Sequence, residues 1–418
     1  MTGDERRYAH HETLEGLLQR GRGLGSVRAR NDPAAAVSLV DDGIRRDWTW
    51  EGFVDERALY QAQLVLELRM PQGPLVEQLH GSEEECARAA DVLVLLAPAG
   101  SDEARDGLRT YLRDGVHWIE VLESLALKWP EAWWADLGGL ARSRISREPE
   151  HPWLTEPWTR FGIEPRQPAP RPARQGLSGH TIAELLGLLT GSTSPSGRPG
   201  APAEGQVRTD ALRELCRREP AEGLIPLVPG LSTADDRHCT VGLQRAVDHL
   251  GALAVPAARV WANSPTPWLA RLGRGVLADQ LVPEALPVLL SELAGRRRSG
   301  SWCGPAVTAE RLARFGREAA PAAGVLRWLW TRTPHSYERP AYLKALAAID
   351  PSGLDFAYTE SLWDCQEQAR LLGIAHAPRN PATRERIEAM RDDPMESSDV
   401  RSAAAAALEP GAHGPPED

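Results

Sequence analysis

Lysine is almost missing from this chain. Only Lys128 and Lys344 occur, so 46 of the 48 basic residues are arginine. Phenylalanine and tyrosine are scarce as well, with 4 and 6 residues against 14 tryptophans. A GC-rich coding sequence favours both biases. Tryptophan and arginine therefore point to binding only where they cluster, because those two types are enriched at interface hot spots. The five cysteines, Cys86, Cys216, Cys239, Cys303 and Cys365, contain no CxxC pair, which excludes a zinc ribbon and a thioredoxin-type dithiol. They read as reduced, mostly buried small apolar side chains of a reducing compartment. No apolar run approaches the roughly 18 residues of a membrane helix. The first residues, Met1 to Arg7, lack the apolar stretch of a secretory signal, so a cytoplasmic protein without a membrane segment is expected.

The common catalytic signatures are missing too. There is no GxxxxGK[ST] loop, no GxGxxG after a strand, no GxSxG elbow and no HExxH, so the usual nucleotide, hydrolase and zincin chemistries have no motif to stand on. A basic excess is also absent, since the net charge is -10. Residues 1–162 hold 19 Lys+Arg against 28 Asp+Glu, net -9, and residues 207–418 hold 25 against 27, net -2. Nucleic-acid binders draw most of their affinity from phosphate contacts and show a basic balance. Nucleic acid is therefore an unlikely partner.

What is present is helix. Leucine and alanine dominate, alternating Val/Ile/Thr runs are absent, and apolar residues recur at i, i+3, i+4 and i+7 between Gly, Pro and Asp-Pro breaks. Residues 55–68 and 74–79 form one expected pair of helices. Residues 83–96, with Ser82 and Glu85 as a capping box, and 101–112 form a second; 115–129 and 130–140 form a third. Residues 163–206 are rich in Pro, Gly and Ser and read as a linker. Within it, Thr181 to Leu189 carries leucines at helical spacing. This short amphipathic helix near 180–190 either docks on a flanking domain or binds a partner from a flexible tether. In the second half, Leu269 to Leu277, Val307 to Phe315 and Leu343 to Ile349 mark first helices, and Pro283, Pro321 and Pro351 open their partners. A helical hairpin cannot bury its apolar face alone, so successive hairpins are expected to stack.

Asp392-Asp393-Pro394 followed by Asp399-Val400-Arg401-Ser402-Ala403-Ala404 resembles the Asp-Pro turn and Asp-Val-Arg-x-Ala-Ala helix of the HEAT-repeat family, in its bacterial short-repeat form. Phe315-Gly316-Arg317-Glu318-Ala319-Ala320-Pro321-Ala322 is similar to that family's Leu-Gly-x-x-Ala-x-Pro-Ala turn. The resemblance covers about residues 207–408. It implies an α-solenoid, with Asp399 and Arg401 in a ladder between successive repeats. The expected architecture is all-α: an acidic helical repeat domain over 1–162, the linker over 163–206, a HEAT-like solenoid over 207–408 and a disordered tail over 409–418.

His10-His11-Glu12 is the only His-Glu run. HEAT-like di-iron hydroxylases use several such pairs, so these three read as a solvated helix start, with neither a metal nor any other cofactor expected. His180, His238, His249, His335 and His376 read as helix-end or surface residues. The clusters left as partner contacts are Trp48 with Trp50, Trp133 with Trp134, and Arg296, Arg297 and Arg298 followed by Trp302. Neighbours at i+1 and i+2 point in different directions on a helix, so one of each tryptophan pair is expected at the surface. The arginine run reads as an inter-repeat loop offering an anion or acidic-partner contact. The expected function is a non-enzymatic scaffold or adaptor that binds a protein partner on a concave face. The alternative from another class is a HEAT-like DNA repair glycosylase, with a basic groove lined by tryptophan and a carboxylate.

Overall fold

A computed structural model describes residues 8–49, 54–147, 152, 154–166, 176–191, 204–231, 237–299 and 302–409. Every regular element among the described residues is a helix, as composition and periodicity predict. None of these helices is long and apolar enough to cross a membrane. The chain falls into two compact units, Met1–Arg166 together with Leu293–Asp418, and Gln167–Glu292. This grouping differs from the division at 163–206 read from the sequence.

The first unit begins with α1 Leu14–Gln19, α2 Gly23–Asn31, α3 Pro33–Arg45, α4 Ala58–Glu67, α5 Gly73–Gln78, α6 Glu83–Leu96, α7 Asp102–Asp114, α8 Trp118–Lys128 and α9 Gly138–Ile145. The second holds α10 Ile182–Leu189, α11 Glu204–Leu215, α12 Arg237–Leu250, α13 Val255–Trp261, α14 Pro267–Asp279 and most of α15 Ala285–Ser299. The first unit then resumes with α16 Pro305–Arg314, α17 Ala323–Arg332, α18 Arg339–Ile349, α19 Leu354–Ser361, α20 Glu367–His376, α21 Pro381–Asp392 and α22 Ser398–Leu408.

Local chemistry sets many of these boundaries. Ser82 and Glu85 close the expected capping box on α6, and Thr181 and Glu184 do the same on α10, satisfying amide groups that the first turn leaves unpaired. Residues 130–140, expected as one helix, are two 3-10 turns, Glu131–Trp133 and Ala135–Leu137, leading into α9. The two indoles there are buried to different degrees, Trp133 partly and Trp134 almost wholly. Pro321 likewise lies inside a 3-10 stretch, Gly316–Ala322, and α17 starts after it. Arg401 donates to the Glu396 carbonyl at 2.6 Å, spanning the turn before its own helix.

In the first unit, α6 packs against α3, α4, α5, α7 and α8, with Val92, Leu93 and Leu96 fully buried. Beside it Trp118 meets Trp158 edge-on, and Phe161 meets both Trp158 and Trp134 in the same way. The Trp158 indole N–H donates to Glu123 at 2.7 Å, so this buried ring keeps its hydrogen bond.

Residues of the α1–α2 corner and the approach to α4 meet the C-terminal helices through a buried polar seam. Arg22 makes a two-pronged pair with Glu360, at 2.6 and 2.7 Å. Arg339 does the same with Asp364, at 2.8 and 2.7 Å, and also donates to the carbonyls of Arg20 and Gly21. Asp55 accepts from the Ser336 amide and hydroxyl at 2.7 and 2.6 Å, and Arg57 donates to the same hydroxyl at 2.8 Å. Two glycines allow this approach. A Cβ on Gly21, whose φ is +62°, would stand 2.4 Å from Cys365 Sγ, and one on Gly23 would stand 1.9 Å from the Glu360 carbonyl oxygen. Periodicity identifies apolar faces but not which charges meet across 338 residues, which is why the seam lies outside the sequence reading.

In the second unit α10 packs on α11, with Leu185 and Leu189 buried. Arg218, paired with Glu214, donates to the carbonyls of Leu177, Ser178 and His180 and ties down the turn before α10. The short amphipathic helix is therefore docked in cis through Leu185 and Leu189.

Two outcomes follow. When a protease site inserted between Ser196 and Gly197 is cut, the fragment carrying 1–166 should stay with the fragment carrying 293–418 through native gel filtration; separation into two compact species would refute the seam. Asp364→Asn strands Arg339 in the interior and should cost about 3–5 kcal/mol in urea unfolding, as loss of one partner of a buried pair does. A cost near zero would mean the pair is not buried in solution.

Candidate functional site

The predicted contact residues do not converge on one place. Trp48 is half-buried, accepts a hydrogen bond from Tyr8 at its carbonyl and packs near that ring. Trp50 lies outside the described residues. Trp133 is half-buried, with its ring edge-on to Trp129 and Arg105 over its face. Trp134 is only 4% exposed, and its indole donates to the Trp129 carbonyl. These rings serve packing within the first unit.

Arg296, Arg297, Arg298 and Trp302 do form a surface. The arginines occupy the last turn of α15 and not a loop, so cationic side chains sit where the helix dipole favours them. Trp302 follows and stacks on Trp328 of α17, with centroids 5.3 Å apart and planes within 8°. Both indoles are half-buried. Arg297 and Arg332 lie over the Trp328 ring at 5.7 and 5.4 Å, a cation–π arrangement. The partner ring could have been suspected: Trp328 and Arg332 are four residues apart in the sequence, the spacing at which helical side chains meet. That Trp302 would lie on Trp328 had no local signal.

The seam fixes this platform from beneath. Arg20 donates to the Arg332 carbonyl at 3.0 Å and Arg22 to the Thr331 carbonyl at 2.7 Å, placing two guanidinium groups on the open carbonyl end of α17. Arg22 also lies over Trp330 at 4.3 Å. Burial, with Arg22, Arg339 and Arg332 nearby, lowers the Arg20 pKa to about 10. It remains a cation at neutral pH.

Beside the platform, Cys303 is exposed, in contrast to Cys86 and Cys365, which are buried as the sequence suggests. Its Sγ lies 3.5 Å from His335 Nε2. His335, expected at a helix end or the surface, does stand at a helix end, before the 3-10 turn Ser336–Glu338, but is completely buried, because the turn from Thr333 to Ser336 is drawn against Asp55. Gly304 follows with φ +92° and starts α16. Glu338 accepts from the Gly304 amide at 3.1 Å, from the Ala306 amide, and from the Tyr342 hydroxyl. A residue 34 positions away thus caps the N-terminus of α16. Burial raises the Glu338 pKa to about 7, against the lowering effect of those hydrogen bonds.

Two other clusters bring functional side chains together. His10, His11 and Glu12 place ligand atoms within 4.8 Å of one another. They are consecutive residues on the turn before α1, and burial together with Arg332 lowers the His11 pKa. The same nearby cation opposes a metal ion. In the second unit, Thr209, Arg213 and Arg217 of α11 and its continuation face Val241 and Arg245 of α12 across a cavity of about 350 Å³. Arg213 pairs with Asp210 and Arg217 with Glu214, so the positive charge there is largely answered within the fold.

The Glu338 environment has a pH signature. Its native pKa of about 7 lies above the ordinary 4.5, so the native state holds the proton more tightly than the unfolded chain. Its contribution is complete at low pH and is lost as pH rises from about 4.5 through about 7. Urea unfolding at pH 5 and pH 8 should show a loss of stability larger in the wild type than in Glu338→Gln by up to about 3 kcal/mol. Equal losses in the two proteins would rule out the raised pKa. No protein-family model matches this chain, and no curated protein matches it either.

Proposed function

We propose that this protein is a non-enzymatic, cytoplasmic scaffold or adaptor, built as a HEAT-like stack of helical hairpins, that docks a protein partner on the Trp302–Trp328 platform. The observation that carries this reading is the pair of stacked, half-buried indoles with Arg297 and Arg332 over one of them. Tryptophan and arginine are the side chains on which interface energy concentrates. Here both are held in place before any partner arrives, which lowers the ordering cost of association.

Arg296, Arg297 and Arg298 crowd the adjoining helix end, so the partner segment is acidic at the point of contact. Guanidinium groups favour two-pronged carboxylate recognition. The nucleic-acid repair alternative needs a basic groove with a carboxylate facing it, and the net charge of -9 over residues 1–162 weighs against such a groove. The two readings differ in what a bound complex contains.

The test compares wild type with Trp302→Ala and Trp328→Ala as immobilised baits, with a nuclease-treated lysate of the native host. A protein partner should be retained by wild type, released by moderate salt, and bind each variant roughly thirtyfold or more weakly, as loss of a hot-spot tryptophan costs about 2 kcal/mol or more. Equal retention by all three baits would overturn the platform as the docking surface. Retention seen with untreated lysate but abolished by the nuclease treatment would favour the nucleic-acid reading.

A further inference from the structure

We infer that Cys303 is a reactive thiol, activated by His335, that takes part in thiol–disulfide exchange with small disulfides and carries a mixed disulfide beside the tryptophan platform. Three features of its surroundings set it apart from the other described cysteines. First, the thiol is exposed while its neighbour is not: His335 is completely buried and presents Nε2 to Sγ at 3.5 Å. The imidazole is also packed edge-on against Tyr337 at 5.1 Å, a contact that helps hold the ring in place. Second, a cation stands close by. Arg296 Nη2 lies 3.9 Å from where a Cβ on Gly304 would be, which puts a guanidinium beside the residue that follows Cys303. Third, Gly304 at φ +92° turns the backbone sharply after the thiol, leaving Cys303 outside the first turn of α16 and open to a reagent.

These are the conditions under which a cysteine becomes a nucleophile: access, a base in contact and positive charge nearby. Among the other described cysteines Cys86 and Cys365 are buried and Cys216 is partly buried, so none combines access with a base in contact. Burial raises the pKa of Cys86, Cys216 and Cys365. The group in contact with Cys303 is His335 on the turn before α18; Arg296 of α15 and Glu338 stand against the following Gly304, and Glu338 is engaged by the Gly304 and Ala306 amides and the Tyr342 hydroxyl.

The Cys303 proton passes to His335 Nε2, and the thiolate attacks one sulfur of the disulfide. A new bond forms from Sγ to that sulfur as the original sulfur–sulfur bond breaks. The departing thiolate takes the proton back from the imidazolium and leaves as a free thiol. Cys303 is oxidised, the small disulfide is reduced, and no other oxidant is needed. The inference does not depend on the docking function, because it concerns the thiol's own reactivity.

The experiment follows the reaction of the folded full-length protein with oxidised glutathione and with 5,5′-dithiobis(2-nitrobenzoate) at pH 7, locating the modified site by peptide mass spectrometry. Cys303 should react first, at least tenfold faster than Cys216 and faster than N-acetylcysteine amide under the same conditions. His335→Gln should slow it at least fivefold while leaving the circular dichroism spectrum unchanged. If that variant does not fold, Arg296→Gln replaces it and should slow the Cys303 reaction at least twofold at pH 7, an unchanged rate overturning the inference. A Cys303 rate no higher than that of the free cysteine amide, or an unchanged rate in folded His335→Gln, would overturn the inference.

Discussion

The first unit depends on charges that have left water in pairs. Arg22 with Glu360 and Arg339 with Asp364 are all less than about a tenth exposed, and each pair is two-pronged. Burying an ion is costly unless its partner and its remaining hydrogen bonds are supplied together. Here they are: Arg339 uses its remaining donors on the Arg20 and Gly21 carbonyls, and the Cys365 amide donates to Gly21 as well. Pairs of this kind contribute modest net stability. What they contribute is selectivity, since a misplaced α1–α2 corner would leave several charges buried without partners. Gly21 and Gly23 are the geometric condition for this arrangement, because any side chain at either would hold the two backbones apart.

Much of the secondary structure was legible in the sequence because it follows local rules. The capping boxes at Ser82 and Thr181 and the leucine spacing of α6, α10 and α14 are local, and the helices stand where those signals put them. Local rules failed at Trp133-Trp134, where two adjacent indoles differ in burial, and at Pro321, which sits in a tighter helix than expected. The grouping of the chain was not legible. Proline and glycine around residue 164 look like a boundary between two halves, yet the residues that join 8–57 to 331–370 are polar, and no periodicity marks them as a core.

The candidate site shows the same division. Arg296 to Arg298 and Trp302 stood out as a cluster of the right types, although as the end of a helix and not as a loop. Trp328, Cys303, His335 and Glu338 did not stand out, because each acquires its setting from a residue 26 to 34 positions away. A buried histidine among scattered histidines has no signature in one sequence, and neither does a carboxylate that caps someone else's helix. The tryptophan pairs at 48/50 and 133/134 were conspicuous for the opposite reason: their density reflects packing, and among the described members it is spent largely inside the unit.

The seam also sets the order in which the chain can fold as it is made. Domains generally form from the N-terminus during synthesis, but Arg22, Asp55 and Arg57 find Glu360, Ser336 and Cys365 only after some 280 to 340 further residues have been added. Until then the α1–α2 corner is an open, hydrated charge cluster, and the helices from α3 to α9 form a half-finished body with an uncovered polar flank. The insertion of Gln167–Glu292 between the two parts lengthens that wait. The unit therefore cannot complete its seam until synthesis is nearly finished, and its charged residues stay hydrated until the partners that can neutralise them arrive.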